Sequence, residues 1–255
     1  MSTPTLRVAL HGGLGNQLFQ HFIGHQEARL RRVAEIQLLT DFVGQYKSAR
    51  EIELAPLLQL DGSPRDRLCK ADRLAKLRLP KVLWRLRGCE SILQLPGYGV
   101  LVDGYFQDPP AFLRYPQSER LQLVKLWRDR LLQTGHLERP DRGHVNHIRL
   151  GDFFKTLSEA RAYARERLMR LEPGDVITDQ EDLLHDELAS LPPDRAMRVV
   201  PTGQLCAWDL MRLFSRYRSI STNGSSLAFW AAVLGRAEFQ SSNSKHVEIW
   251  RQLSP

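Results

Sequence analysis

The chain has 255 residues, with 36 Lys and Arg against 29 Asp and Glu and a formal net charge of +7. Apolar residues at 42% and charged residues at 25% exclude a disordered chain, and the length suits one large or two modest domains with cores of their own. The surplus charge is local: Arg65 to Arg87 holds nine basic and two acidic residues and the remainder is neutral, which excludes a globally basic, histone-like protein.

Leu6 to Leu10 predicts a short buried strand, His11 to Gly15 a glycine-rich turn, and Asn16 to Arg31 a helix with Leu18, Phe19, Phe22 and Ile23 on one face. Glu35 to Thr40 predicts the next strand, so the chain opens with a βαβ unit. From about Ala49 to Leu95 the pattern predicts mostly helix, and Leu101 to Tyr105 a further strand. The polar stretch Asp129 to Arg142 is the expected domain boundary. Beyond it strands are predicted at 145–149, 175–178, 197–200, 219–222 and 237–239, alternating with helices at 157–171, 181–190, 205–216, 226–234 and 245–253. The expected fold class is α/β, with two Rossmann-like domains, residues 1–140 and 141–255, facing a cleft.

Cys69, Cys89 and Cys206 are sparse, odd in number and without a C-x-x-C pair, which argues against a disulfide framework or a cysteine zinc site and for a reducing compartment. Residues 1–10 are too little apolar for a signal peptide. The longest uncharged run, Ser219 to Gly235, is too short and half polar for a membrane span. A cytoplasmic protein is expected.

Three constellations carry chemistry. In His11-Gly12-Gly13-Leu14-Gly15-Asn16-Gln17, three glycines let backbone approach a ligand at a helix N-terminus, or simply make a tight turn capped by Asn16. The dinucleotide fingerprint is not met, because Leu18 stands where its third glycine belongs. His147 and Arg149, two apart on a strand, share a face, and Gly151 and Asp152 follow at the strand's C-terminal end, where ligands bind in open α/β sheets. Arg149 there can clamp a diphosphate; the alternative is a His–Asp bond closing a turn and a surface ion pair. Ser221 to Trp230 is a strand end, a turn and a helix opening with Ser225 and Ser226, read either as a second anion cradle or as helix capping.

Together these motifs resemble the α-1,2-fucosyltransferases of glycosyltransferase family eleven. Gly12 to Gln20 is similar to the family's Gly-Gly-x-Gly-Asn-Gln-x-Phe-Gln opening, and Gly104-Tyr105-Phe106-Gln107 to its Gly-Tyr-aromatic-Gln element. His147-Ile148-Arg149-Leu150-Gly151-Asp152 resembles H-x-R-R-G-D, Ile177-Thr178-Asp179 a later strand-end Asp, and Gly224 to Ala232 the last motif. The order is kept from residue 8 to about 235. The second Arg of the paired motif is Leu150, the Asn of the last motif is Gly224 with Asn223 beside it, and the segment after Asp152 is short.

The resemblance implies a GT-B-like fold and an inverting, metal-independent transfer of L-fucose from GDP-fucose to a galactoside hydroxyl of a surface glycan or oligosaccharide. No cofactor and no metal are expected; no D-x-D triplet occurs in the sequence. Arg149 would hold the diphosphate, with Ser225 and Ser226 assisting, and His147, Asp179 and Asn223 would lie near the nucleotide. Gly13, Gly15 and Asn16 would face sugar and acceptor, and Asp152 or His11 would be the general base. A non-catalytic nucleotide-sugar or glycan-binding module, or a transferase of another GDP-sugar, are the alternatives, prompted by Leu150, Gly224 and the short loop.

The basic segment 65–87 has Leu68, Ala71, Leu74, Ala75 and Leu79 at helical spacing, broken at Pro80. It reads as a solvated helix face, or as a surface that docks on the anionic inner face of the cytoplasmic membrane, where lipid-diphosphate-linked acceptors are presented. Nucleic acid is not an expected partner: the segment lacks interleaved aromatics apart from Trp84.

Overall fold

The computed structural model describes residues 5–43, 51–60, 64–77, 91–151, 154–190, 192 and 197–254. The chain divides into two compact units, Met1–Thr134 with Arg251–Leu253, and Gly135–Trp250 with Ser254–Pro255.

In the first unit, strand β1 (Leu6–Ala9), helix α1 (Leu14–Arg31) and strand β2 (Glu35–Leu39) form the opening βαβ, in parallel register from Leu6 opposite Ile36 to Ala9 opposite Leu39. Strand β3 (Arg65–Cys69) pairs parallel with β2, and β5 (Gly99–Asp103) runs parallel to β1 on its other side. Strand β4 (Ser91–Leu95) closes the edge as the antiparallel partner of β5, so the sheet order is β3-β2-β1-β5-β4. Leu6 and Val8 of β1 and Leu18, Phe19, Phe22 and Ile23 of α1 are wholly buried. A Cβ on Gly24 would lie 2.7 Å from Val8 Cγ2, so this glycine sets how closely α1 approaches the sheet. Two further helices, α3 (Pro109–Leu113) and α4 (Gln117–Gln133), come after the short α2 (Arg73–Lys76) in chain order. Phe112 of α3 stacks on Phe22 at 4.7 Å, and Trp127 of α4 meets Phe22 edge-on at 5.6 Å.

The second unit follows the expected alternation: β6 (Arg142–Ile148), α5 (Leu157–Arg170), β7 (Gly174–Thr178), α6 (Glu181–Ala189), β8 (Met197–Val199), α7 (Ala207–Ser215), β9 (Tyr217–Thr222), α8 (Ser226–Gly235), β10 (Glu238–Ser241) and α9 (Ser244–Leu253). Every strand pair is parallel and the order is β10-β9-β6-β7-β8. The chain enters at β6, winds outward to β8, then returns to the other side of β6. This is the doubly wound order, and its direction reverses between β6 and β9. The α/β fold class holds for both units.

Two expectations need correction. The described residues between Ala49 and Leu95 are not mostly helical: 65–69 and 91–95 are strands, and among them the helical pieces are a single 3-10 turn, Ala55–Leu57, and α2, whose N-terminus is capped by Asp72 accepting from the Ala75 N–H at 2.9 Å. The helical spacing through Leu68 was overridden because all five residues of β3 find partners on β2, and Leu68 is left 47% exposed. Residues 78–87 of the basic segment, Cys89 and Leu79 lie outside the described residues. Helix α1 begins at Leu14 with Gly13 as its cap, so Asn16 lies inside the first turn and is not the cap. The units part between Thr134 and Gly135, inside the expected boundary stretch, whose first residues continue helix α4 to Gln133.

Candidate active site

In each sheet the chain reverses direction beside the strand that begins the unit, and the chemistry-bearing residues follow the C-terminal ends of those strands, where α/β sheets leave a crevice for ligands.

In the second unit Arg149 follows β6 directly. Its backbone is held by Asn223, which follows β9: the side-chain carbonyl accepts the Arg149 N–H at 3.0 Å and the side-chain amide donates to the Arg149 carbonyl at 2.8 Å. The next two peptides are held by Asp179, just beyond β7, whose carboxylate accepts from the Leu150 N–H at 2.7 Å and the Gly151 N–H at 3.0 Å. A Cβ at position 151 would come within 2.9 Å of that carboxylate, which is why the residue is glycine. Leu150 is buried among Ile148, Leu168, Val176 and Leu184, so this position contributes to the core and brings no positive charge.

His147 is buried on β6, 3.3 Å from the Thr222 hydroxyl and edge-on to Phe214 at 5.0 Å. Burial first, and the Arg149 charge second, lower its pKa to about 3, so the imidazole is neutral at neutral pH. Thr222 Oγ1 also accepts from the Ser225 N–H at 3.3 Å, and the Ser225 hydroxyl caps α8 by accepting from the Ala228 N–H at 3.3 Å. The serine-led turn therefore is a helix N-terminus, opened by Gly224 at a φ of 108°, a backbone that the Asn of the resembled motif would adopt only with strain. Ser226 is the first residue of that helix. Asp152 lies outside the described residues.

In the first unit His11 follows β1 and Asp103 ends β5. Nε2 of His11 lies 2.7 Å from Asp103 Oδ1, both residues are buried, and the His11 N–H donates to Gln20 at 2.8 Å. The rings of Phe42 and Tyr105 lie 5.5 and 6.1 Å from that of His11. Gly12 takes a φ of 68°. Gln17 ties the turn down, donating to the Gly12 carbonyl at 2.9 Å and the Glu51 carbonyl at 2.8 Å while accepting from the Glu53 N–H at 3.0 Å. Asn16 accepts from Gln107 at 2.7 Å, joining the Gly12–Gln20 and Gly104–Gln107 motifs in one cluster. Gly13 caps α1 and Gly15 is buried in its first turn. The structure thus gathers His11, Asn16 and Gln107 at one sheet's end, and His147, Arg149, Asp179, Asn223 and Ser225 at the other's. Asp103 is a residue that sequence reasoning missed.

No family model matches the chain, and no curated protein matches it. Among solved structures it is similar to one titled as the crystal structure of NodZ alpha-1,6-fucosyltransferase co-crystallized with GDP. The identity is 14%, the TM-score 0.46, and the match covers 92% of this chain and 93% of that one.

Proposed function

We propose that the protein is an inverting, metal-independent glycosyltransferase that moves L-fucose from GDP-fucose to a galactoside hydroxyl, forming an α-1,2 linkage. The observation that carries this reading is the clamped Arg149 at the reversal point of the second sheet, beside the Ser225-capped N-terminus of α8. A guanidinium held by its own backbone and a helix N-terminus suit a diphosphate. In the transfer the bond between the sugar's anomeric carbon and the β-phosphate oxygen breaks, and GDP leaves with the electron pair. The acceptor oxygen attacks the opposite face and its proton passes to a base. Arg149 and the helix N-terminus stabilise the charge that grows on GDP. Asp179 spends one lone pair of each oxygen on the loop, which leaves the others for guanine's N–H donors.

For the base, His11 is supported by its Asp103 partner: a carboxylate that fixes one ring nitrogen orients the imidazole and stabilises it once protonated. Asp152 remains the other candidate. Thermal unfolding with GDP, UDP and GDP-fucose, then GDP release with galactoside acceptors, tests the reading. A ligand at 100 times its dissociation constant adds about 2.7 kcal/mol of stability. Arg149→Ala should lower transfer on the order of 100- to 1,000-fold; near-normal transfer would refute the assignment. Burial of Leu150, where a second arginine would add charge, favours as second reading a nucleotide-sugar binder without turnover or a transferase of another GDP-sugar. Stabilisation by GDP without release in any acceptor would select the binder.

Arg65, Arg67, Lys70, Arg73 and Lys76 are all exposed, with Leu68 and Leu77 exposed among them. This supports peripheral docking on an anionic membrane carrying lipid-diphosphate-linked acceptors. No helix among the described residues is long and apolar enough to cross a membrane.

A further inference from the structure

Away from both strand-end clusters, three side chains that the proposed transfer does not use meet inside the first unit. His21 and His25, four apart, share one face of α1, and Asp66 on β3 reaches the same point. The His21 and His25 Nε2 atoms are 2.9 Å apart, and they lie 3.1 and 3.3 Å from the same oxygen, Asp66 Oδ1. All three side chains are fully buried, and Asp66 Oδ2 has no hydrogen-bond partner. Trp127 stacks over His21 at 5.3 Å, and Gln59 donates to the Asp66 backbone carbonyl, so both ends of the cluster are fixed in place.

Hydrogen bonds alone cannot satisfy this triangle. If both Nε2 atoms carry protons, both donate to Asp66, and two N–H groups then oppose each other across 2.9 Å. If one is bare, it accepts from the other imidazole but sets its lone pair against a carboxylate oxygen at 3.1 or 3.3 Å, and if both are bare, three lone pairs face one another. One cation would satisfy all three edges by taking one lone pair from each atom. The dimensions suit it: a tetrahedral ion with bonds of about 2.0–2.1 Å keeps its ligand atoms about 3.3 Å apart, and would sit about 1 Å off the plane of this triangle.

We propose that His21, His25 and Asp66 form a structural site for a divalent first-row transition ion, of which zinc is the natural occupant, tying α1 to the edge strand β3. Two imidazoles and a carboxylate are the donor set that such ions accept. The burial of the ligands closes the site to substrates, so its role is to hold the sheet edge. It also accounts for the buried position of β3 being given to a carboxylate while Leu68, on the same face, is exposed. The site does not enter the transfer chemistry, and it stands or falls separately from it.

The test uses the full, untagged chain. Produced with added zinc and passed over a chelating resin, it should retain about one zinc per chain, as a site with zinc's usual three or four protein ligands does. Produced with cobalt as the sole added transition metal, it should show the visible d–d bands of a low-coordinate ion. Asp66→Asn and His25→Gln should each lower the retained metal more than about tenfold. A wild-type protein that retains no first-row metal and shows no cobalt bands overturns the proposal, as does an Asp66→Asn protein that keeps its zinc. Should the variants fail to fold, the wild-type metal content and cobalt spectrum decide alone.

Discussion

Asn223→Ala isolates the clamp on which the donor site rests. The substitution leaves Arg149 in the chain and removes the two bonds, at 3.0 and 2.8 Å, that fix its peptide groups. Each such bond contributes about 0.5–1.5 kcal/mol net, and since Asn223 is half-buried and water can replace part of the loss, urea unfolding without nucleotide should show a decrease of about 2 kcal/mol. The larger effect is on transfer. Released from the clamp, the Arg149 guanidinium moves with its backbone, and a displacement near 1 Å costs on the order of 100-fold in rate. Asn223→Asp is the sharper control. It still accepts from the Arg149 N–H but turns a carboxylate oxygen toward the Arg149 carbonyl, so it should be at least as damaging. Turnover and GDP affinity are measured beside stability on the same preparations. A protein destabilised as expected that transfers within about twofold of wild type would mean that the reaction does not depend on where Arg149 is held, and the site would have to be rebuilt around other groups.

Asp103→Asn keeps the shape beside His11 but removes the charge that orients its ring; if His11 is the base, turnover should fall about 100-fold or more with unfolding nearly unchanged, and unaltered turnover would pass the role to Asp152. His147 titrates at about 3 when folded and near 6.5 when unfolded, so the unfolded chain binds the extra proton below pH 6.5. Its stability contribution is therefore complete above about pH 6.5 and is lost as pH falls toward 3, at about 1.4 kcal/mol per unit; denaturation midpoints of His147→Gln should show a shallower acid slope, and an unchanged slope would refute the burial argument. Flotation with anionic vesicles should retain the protein at low salt and release it at high salt, and Glu substitutions at Arg65, Arg67 and Lys70 should abolish retention; salt-independent behaviour would remove the docking proposal.

The second unit was legible almost strand for strand because each short strand carries one or two buried apolar residues, Val145, Val176 and Ile177, Val199, Ile220 and Phe239, and alternates with a helix over short connections. The first was legible through its opening βαβ and through the strand expected at Leu101–Tyr105, which overlaps β5. Helix α4 carried a usable signal, since Leu123, Val124, Trp127 and Leu131 repeat at helical spacing and are buried, but its polar end had the composition of a linker. Strand β3 carried none: its five residues include three charges, and what makes it a strand is pairing with β2. Reading it as helix also hid Asp66, so the i, i+4 histidines on α1 showed no third partner. Asp103 was findable, as a carboxylate ending the buried run Val100–Val102 one strand away from His11.

Most of the motif residues shape backbone. Gln17, Gln20, Asn16 with Gln107, and Asn223 use carboxamides to hold turns at strand ends, and Asp179 does the same with a carboxylate. A carboxamide suits this task because it donates and accepts at once and does not titrate, so it can pair both groups of a peptide without placing charge beside a ligand. Among the described residues these braces surround Arg149 in one unit and the His11–Asp103 pair in the other. Residues 143–255 hold as many acidic as basic side chains, so a diphosphate there would be gripped by placed groups and not drawn in by a broad positive field. The surplus charge of the chain sits instead in residues 65–87, whose described basic side chains on and around β3 and α2 are exposed and suit a charged surface outside the protein. On the proposed reading, substrate recognition and positive charge are carried by different parts of the sequence, and the basic isoelectric point concerns where the chain works and not what it binds.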